Sequence, residues 1–186
     1  MTPTFRTLPL ALALAAMLAS PEAQAQPAAD PAGPYAVVAV GRSQYDYDCY
    51  IFSYCDTARA TTGRLGLGYR FGVFALEGWV ANYGKASIQQ GWAQMRVQSA
   101  GVNAAWYLRF TPTLHGVLRA GGGQVVQTRS DDVRSSGFEG SFGLGLVMFV
   151  APSVGVELAV DATTATGQNS GTAVVSSATL GLRLRF

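Results

Sequence analysis

The sequence of 186 residues is poor in charge, histidine and cysteine. Charged residues make up 13% of it, against the ~25% of ordinary soluble domains. That deficit excludes a disordered polyelectrolyte and argues against a typical cytosolic enzyme. Thirteen Lys and Arg against eleven Asp and Glu leave a net charge of +2, too even a balance to imply nucleic acid as a partner. The single histidine, His115, lies far from the cysteines Cys49 and Cys55, so no metal-ligand spacing is present. No cofactor motif is present either: Gly121, Gly122 and Gly123 precede neither a helical pattern nor a lysine and fit close strand packing or a bulge. Beyond the N-terminus no apolar run approaches the ~20 residues of a membrane-spanning helix. Yet the chain is 49% hydrophobic and holds 22 glycines.

The N-terminus reads as an export signal. Arg6 precedes an apolar stretch at 8–19, then Ser20, Pro21 and Glu22 break it, and Ala23-Gln24-Ala25 offers a small-residue cleavage site. At about 12 residues the stretch is short for a membrane anchor. The expected division is a signal peptide at 1–25, a proline-rich flexible leader at 26–34 and one domain at 35–186. In an oxidising compartment Cys49 and Cys55 are expected to form a local disulfide, two free thiols being the alternative.

The rest of the chain has a period of two. Leu180, Leu182, Leu184 and Phe186 alternate with Gly181, Arg183 and Arg185. Leu65, Leu67, Tyr69 and Phe71 alternate with Arg64, Gly66, Gly68 and Arg70. Residues 99–110 and 153–162 repeat the pattern, and 35–43, 73–83, 113–127 and 138–150 carry weaker versions. Strict alternation gives a strand one apolar and one polar or small face. Eight such strands of about ten residues match transmembrane β-strands. Tight turns are expected near 72, 111–112 and 151–152, and long polar loops at 44–61, 84–96, 128–136 and 164–173. Short connections at one end and long ones at the other are the asymmetry of an antiparallel up-and-down transmembrane β-barrel with short periplasmic turns and long extracellular loops.

The bulky face is expected to meet lipid, because the other parity is rich in glycine, as a narrow eight-stranded interior requires. The reverse would place Arg119, Glu77 and Glu157 in hydrocarbon, at up to ~2–4 kcal/mol for an arginine near the midplane. Tyr35, Phe71, Phe74, Phe110 and Phe186 fall near strand ends on the short-turn side, where an interfacial girdle would lie. In the third strand Glu77 and Trp79 share a parity, and a bulge there would change which of them faces lipid.

With TGRLGLGYRF at 62–71, FGLGL at 142–146 and LGLRLRF at 180–186, the sequence resembles the small outer-membrane β-barrel proteins of Gram-negative bacteria, the OmpA-like and opacity-type superfamily. The resemblance spans 35–186 in pattern and is most specific in the last strand. It implies that Phe186 serves as the signal read by the outer-membrane assembly machinery. It also implies contact with outer-membrane lipid and lipopolysaccharide, and that the likeness to OmpA stops at the barrel. Some barrels of this size modify lipid A. The His-x-Ser pattern of the deacylases is absent at His115, so no catalytic residue is assigned.

By parity Arg64, Arg70, Arg109, Arg119, Arg183 and Arg185 point into the lumen together with Glu77, Glu157 and Asp161. Both signs in a confined space favour a salt-bridged strut. The competing expectation is a narrow pore lined by the surplus arginines. Function is then expected on the loops. The longest carries Tyr45, Tyr47, Tyr50, Phe52 and Tyr54 around the cysteines, an aromatic patch suited to host or surface ligands; equally, Tyr50 to Tyr54 extend the flanking strands. The expected class is a non-enzymatic scaffold displaying loops for surface recognition, adhesion or envelope integrity. A passive pore, an outer-membrane enzyme and a soluble periplasmic binder are the alternatives.

Overall fold

The computed structural model describes residues 32–47, 58–88, 93–129, 134–167 and 171–186. They form eight antiparallel strands: β1 Gly33–Tyr47, β2 Ala58–Phe71, β3 Phe74–Ile88, β4 Ala93–Arg109, β5 Leu114–Arg129, β6 Arg134–Ala151, β7 Val154–Gly167 and β8 Gly171–Arg185. Each strand pairs with the next in sequence, and β1 pairs with β8, so the sheet closes on itself and leaves no edge. The closing register runs from Tyr35 opposite Arg185 to Tyr47 opposite Ala173. The Phe186 N–H donates to the Pro34 carbonyl at 3.1 Å, which carries the seam to the last residue.

Side-chain direction follows the alternation. Leu67 is 71% exposed and Phe186 78%, while Glu77 and Arg183 are 1% exposed. Leu65, Leu76, Val102, Leu158, Leu180 and Leu182 share the outward face. This apolar outside is what a barrel in hydrocarbon presents, since the closed ladder pairs the backbone polar groups of neighbouring strands. The inward parity carries small residues and the polar ones.

Short connections join β2 to β3 at 72–73, β4 to β5 at 110–113 and β6 to β7 at 152–153. Gly72 supplies the positive φ of 69° that the first of them needs. In the second, Thr111 Oγ1 accepts the Leu114 N–H at 2.9 Å. Of the aromatic residues expected to ring this end, Phe71, Phe74 and Phe186 do face outward, joined by Tyr69 and Trp106. Tyr35 does not: it is buried in the lumen, because it shares the parity of Val37 and Ala39.

At the opposite end the strands run further than the sequence pattern indicates. β1 continues to Tyr47 and β2 begins at Ala58; β3 continues to Ile88 and β4 begins at Ala93. These extensions carry polar residues on their outer face, such as Gln44, Arg59, Gln94 and Arg96, and so lack the apolar alternation that marks a strand in lipid. β3 holds a bulge between Asn82 and Lys85. Gly84 sits there at a φ of 84° and its N–H donates to Asn82 Oδ1 at 3.0 Å. The bulge lies above Glu77 and Trp79, so both of those point inward, while Lys85 beyond it points out.

The glycines at 101, 121 and 123 serve close packing of β4 on β5, whose register is unbroken there. A Cβ on Gly101 would run into the Gly122 carbonyl and the Gly123 Cα. Gly101→Val is therefore expected to destabilise the barrel by about 1–3 kcal/mol, the range for overpacking. The check is the midpoint of its heat-dependent gel shift in detergent.

Candidate functional site: a charged layer across the lumen

The lumen is stacked in layers. On β3 the inward residues in order are Ala75, Glu77 and Trp79; on β5 they include Val117, Arg119 and Val125. Ala75 and Val117 belong to an apolar cluster with Tyr35, Val37, Tyr107 and Phe149 towards the short turns. Trp79 and Val125 belong to a second one with Tyr45, Tyr83, Met95 and Val175 towards the long connections. Between them lie three arginines and three carboxylates, Arg64, Arg119, Arg183, Glu77, Glu157 and Asp161.

These six groups form one network. Arg64 Nη2 meets Glu77 Oε1 at 2.8 Å, and its Nη1 meets Asp161 Oδ1 at 3.3 Å. Arg119 pairs with Glu157 and reaches Asp161 Oδ1 at 3.4 Å. Arg183 donates from Nε and Nη2 to Glu157 Oε2 at 2.9 and 2.6 Å, and its Nη2 lies 3.7 Å from Glu77 Oε2. Two tyrosines extend the network: Tyr35 OH donates to Glu77 Oε2 at 3.0 Å, and Arg183 Nη1 donates to Tyr107 OH. The Arg183 guanidinium stacks 4.3 Å from the Tyr35 ring centroid, and Arg64 lies 5.1 Å from that of Trp79. Three cations and three anions balance, which a low-dielectric interior demands.

The other three arginines lie nearer the short turns. Arg70 donates from Nε to the Gly72 carbonyl at 2.6 Å and stacks 4.1 Å from the Tyr107 centroid. Arg185 stacks 3.4 Å from that of Phe149. Arg109, half-buried, ends β4 opposite His115. With Arg183 and Tyr35, Arg70 and Arg185 line a mouth pocket of about 230 Å³. His115 is buried, its ring edge-on to Phe149 at 5.4 Å, which packs the imidazole instead of presenting it. Among the described residues no three His, Cys, Asp or Glu side chains are grouped to hold a metal ion.

Tyr45 requires a correction. It is not a loop residue: it lies within β1, is fully buried in the upper lumen, and donates its hydroxyl to the Gly84 carbonyl at 3.1 Å. β1 continues past Gln44, and odd positions in it face inward. Tyr47 is the last residue of β1. Cys49, Tyr50, Phe52, Tyr54 and Cys55 lie outside the described residues.

Sequence reasoning missed several interior polar groups. Ser43 and Thr163 are buried on the inward parity, where alternation alone could have found them, while Asn103 and Tyr107 are buried on the polar parity that the alternation over 99–110 assigns them. Glu139 is buried too. Its parity with Gly143 and Gly145 was the available signal.

Solved structures share this architecture. Neisserial surface protein A is 14% identical with a TM-score of 0.72, over 83% of this chain and 97% of that one. The N-terminal β-barrel domain of Pseudomonas aeruginosa OprF is 16% identical with a TM-score of 0.55, over 84% and 100%. The P. aeruginosa outer membrane protein OprG is 12% identical with a TM-score of 0.53, over 83% and 97%. At these identities the likeness is one of fold. No curated protein matches the sequence. Residues 10–186 match the outer membrane protein beta-barrel domain family, and with the closed eight-stranded barrel and its apolar outer wall, the chain belongs to that family of outer-membrane barrels.

Proposed function

We propose that this protein is a closed outer-membrane scaffold whose long-connection end presents residues for surface recognition, adhesion or envelope integrity. The observation that carries this reading is the layered lumen: a balanced ion-pair network between two apolar clusters leaves an eight-stranded barrel little free bore. With the interior given over to packing, the connections between β1 and β2 and between the other strand pairs at that end are where a partner would bind. The name of the Neisserial relative, a surface protein, is consistent with such a role. Residues 1–25 would direct export, and Phe186 would mark the chain for assembly. No catalytic residue is assigned.

A narrow pore is the second reading, favoured by Arg70, Arg109, Arg183 and Arg185 around the short-turn mouth. It requires Arg119 and Arg183 to leave Glu157. Planar-bilayer recordings discriminate the two: the scaffold predicts no reproducible large conductance from purified protein, and a steady anion-selective conductance overturns it. The recognition role is tested by replacing residues 48–57 with a short Gly/Ser turn. That graft spares Tyr45 and the strand ends. Loss of binding to cells, matrix or serum factors with an intact heat-dependent gel shift is the expected result; unchanged binding refutes it.

A further inference from the structure

The charges inside the barrel are spread unevenly along its axis. In the middle layer Arg64, Arg119 and Arg183 meet three carboxylates. Arg70 and Arg185 lie beyond that layer, towards the short turns. With Arg183 they line the mouth cavity of about 230 Å³, and the lining includes no aspartate or glutamate. The acids of the layer behind it are already matched three to three. Counting a terminal carboxylate on Phe186, the cavity wall still carries a net positive charge.

Register and stacking hold these cations in place. Gly33 pairs with Arg70 and Tyr35 with Arg185, so β1 runs between the two arginines and offers a bare glycine and a phenol there. Arg70 and Arg183 flank one aromatic ring, 4.1 and 5.5 Å from the Tyr107 centroid. They are 3% and 1% exposed. Like charges gathered about one ring with little water repel each other. Stacking on aromatic faces offsets part of that cost, and an anion would offset the rest. The Nε bond to the Gly72 carbonyl fixes Arg70, so its guanidinium is held ready. Inward, the cavity ends on Tyr35, Tyr107 and Arg183, all tied into the ion-pair layer. At its outer end stand Pro34, Pro152 and Ser153.

We propose that this blind pocket binds a small aromatic carboxylate, with the carboxylate on Arg70 and Arg185 and the ring against Tyr35, Tyr107 and the prolines. Guanidinium forks match a planar carboxylate in two parallel hydrogen bonds. The tyrosine and proline walls favour a flat apolar body over a hydrated inorganic anion. The volume is below the ~300–1,000 Å³ of sites for drug-sized ligands, so one ring is the fitting size. The site lies at the end of the barrel opposite the connections of the scaffold reading and goes beyond that reading. It holds an anion against a closed layer instead of conducting it.

The test titrates sodium benzoate into the full barrel in detergent micelles at constant ionic strength, followed by NMR shifts of the protein. Wild type is expected to bind one benzoate saturably, with the largest shifts at Gly33, Arg70 and Tyr107. Arg70→Gln/Arg185→Gln is expected to weaken binding at least about tenfold, the scale of a charge-assisted contact. Arg185→Gln alone keeps the Gly72 anchor and is expected to weaken it as well. Arg59→Gln, on the outer face near the other end, should bind like wild type. Benzamide, equal in size and uncharged, and inorganic phosphate, charged and ringless, should each bind at least about tenfold more weakly than benzoate. An unaltered heat-dependent gel shift shows that each variant is folded. The proposal is overturned if the arginine variants bind like wild type, if Arg59→Gln loses as much, or if benzamide or phosphate binds as well as benzoate. Shifts confined to outward residues such as Leu67 would mean partition into the micelle and would overturn it too.

Discussion

Glu157→Ala is expected to lower the stability of the barrel by about 3–5 kcal/mol, the cost of breaking a buried ion pair from one side. Glu157 is the hub of the lumen network: it meets Arg119 and Arg183, which are 3% and 1% exposed. Without it, Arg183 keeps a 3.7 Å approach to Glu77, its contact with Tyr107 and its stacking on Tyr35, but no close carboxylate. Arg119 keeps Asp161 at 3.4 Å. Both guanidinium groups would stay buried in a layer flanked by apolar clusters, almost without solvent exposure. The measurement is the urea midpoint of the detergent-folded barrel, read by gel shift. Glu157→Ala/Arg183→Ala supplies the decisive comparison. Removing both partners is expected to cost less than the sum of the single losses, because the second truncation removes a charge the first left stranded. Strict additivity would mean that the two side chains do not act as a pair.

One residue further along β7 the expected effect is of similar size and opposite cause. Leu158 is 56% exposed, faces outward, and lies opposite Leu146 and Leu180 in the middle of the apolar wall. Leu158→Arg is expected to cost about 2–4 kcal/mol in a bilayer. The charge would stand in hydrocarbon with no carboxylate beside it on that face. Leu158→Ala should cost far less in the same assay. Lipid supplies no hydrophobic drive to bury a leucine that already faces acyl chains. Equilibrium folding into liposomes measures both. If Leu158→Arg folded as well as wild type while Glu157→Ala also did, the sidedness of the barrel would be wrong.

The paired predictions show why the fold is legible in the chain. In a strand the direction of a side chain is a local property, inverted at each step. Leu180, Leu182 and Leu184 against Gly181, Arg183 and Arg185 therefore state their two environments without knowledge of any partner. The size asymmetry between the faces then says which one is inside. Where the local rule is broken, so is the reading. Gly84 inserts a bulge in β3, and parity counted from Glu77 would send Lys85 inward, whereas it faces out. Above the membrane the outer face turns polar, alternation fades, and strand reads as loop, which is how Tyr45 came to be placed among the recognition residues. Tyr35 misled differently, since an aromatic residue near a strand end satisfies both a girdle and a lumen until its parity is compared with Val37.

The sequence alone determined the closed barrel class, the lipid-facing side and most of the charges held inside, Glu139 being the exception, because each follows from a period of two and from the cost of a charge in hydrocarbon. Only the tertiary structure decided which charges meet. Arg64 finds Glu77 at a separation of 13 residues and Asp161 at 97. Arg183 finds Glu157 at 26 and Tyr107 at 76. Those encounters depend on the register of every ladder and on the closure of β1 against β8, which bring side chains from β2, β3, β5, β7 and β8 across one narrow lumen. No local pattern encodes a distance across a barrel.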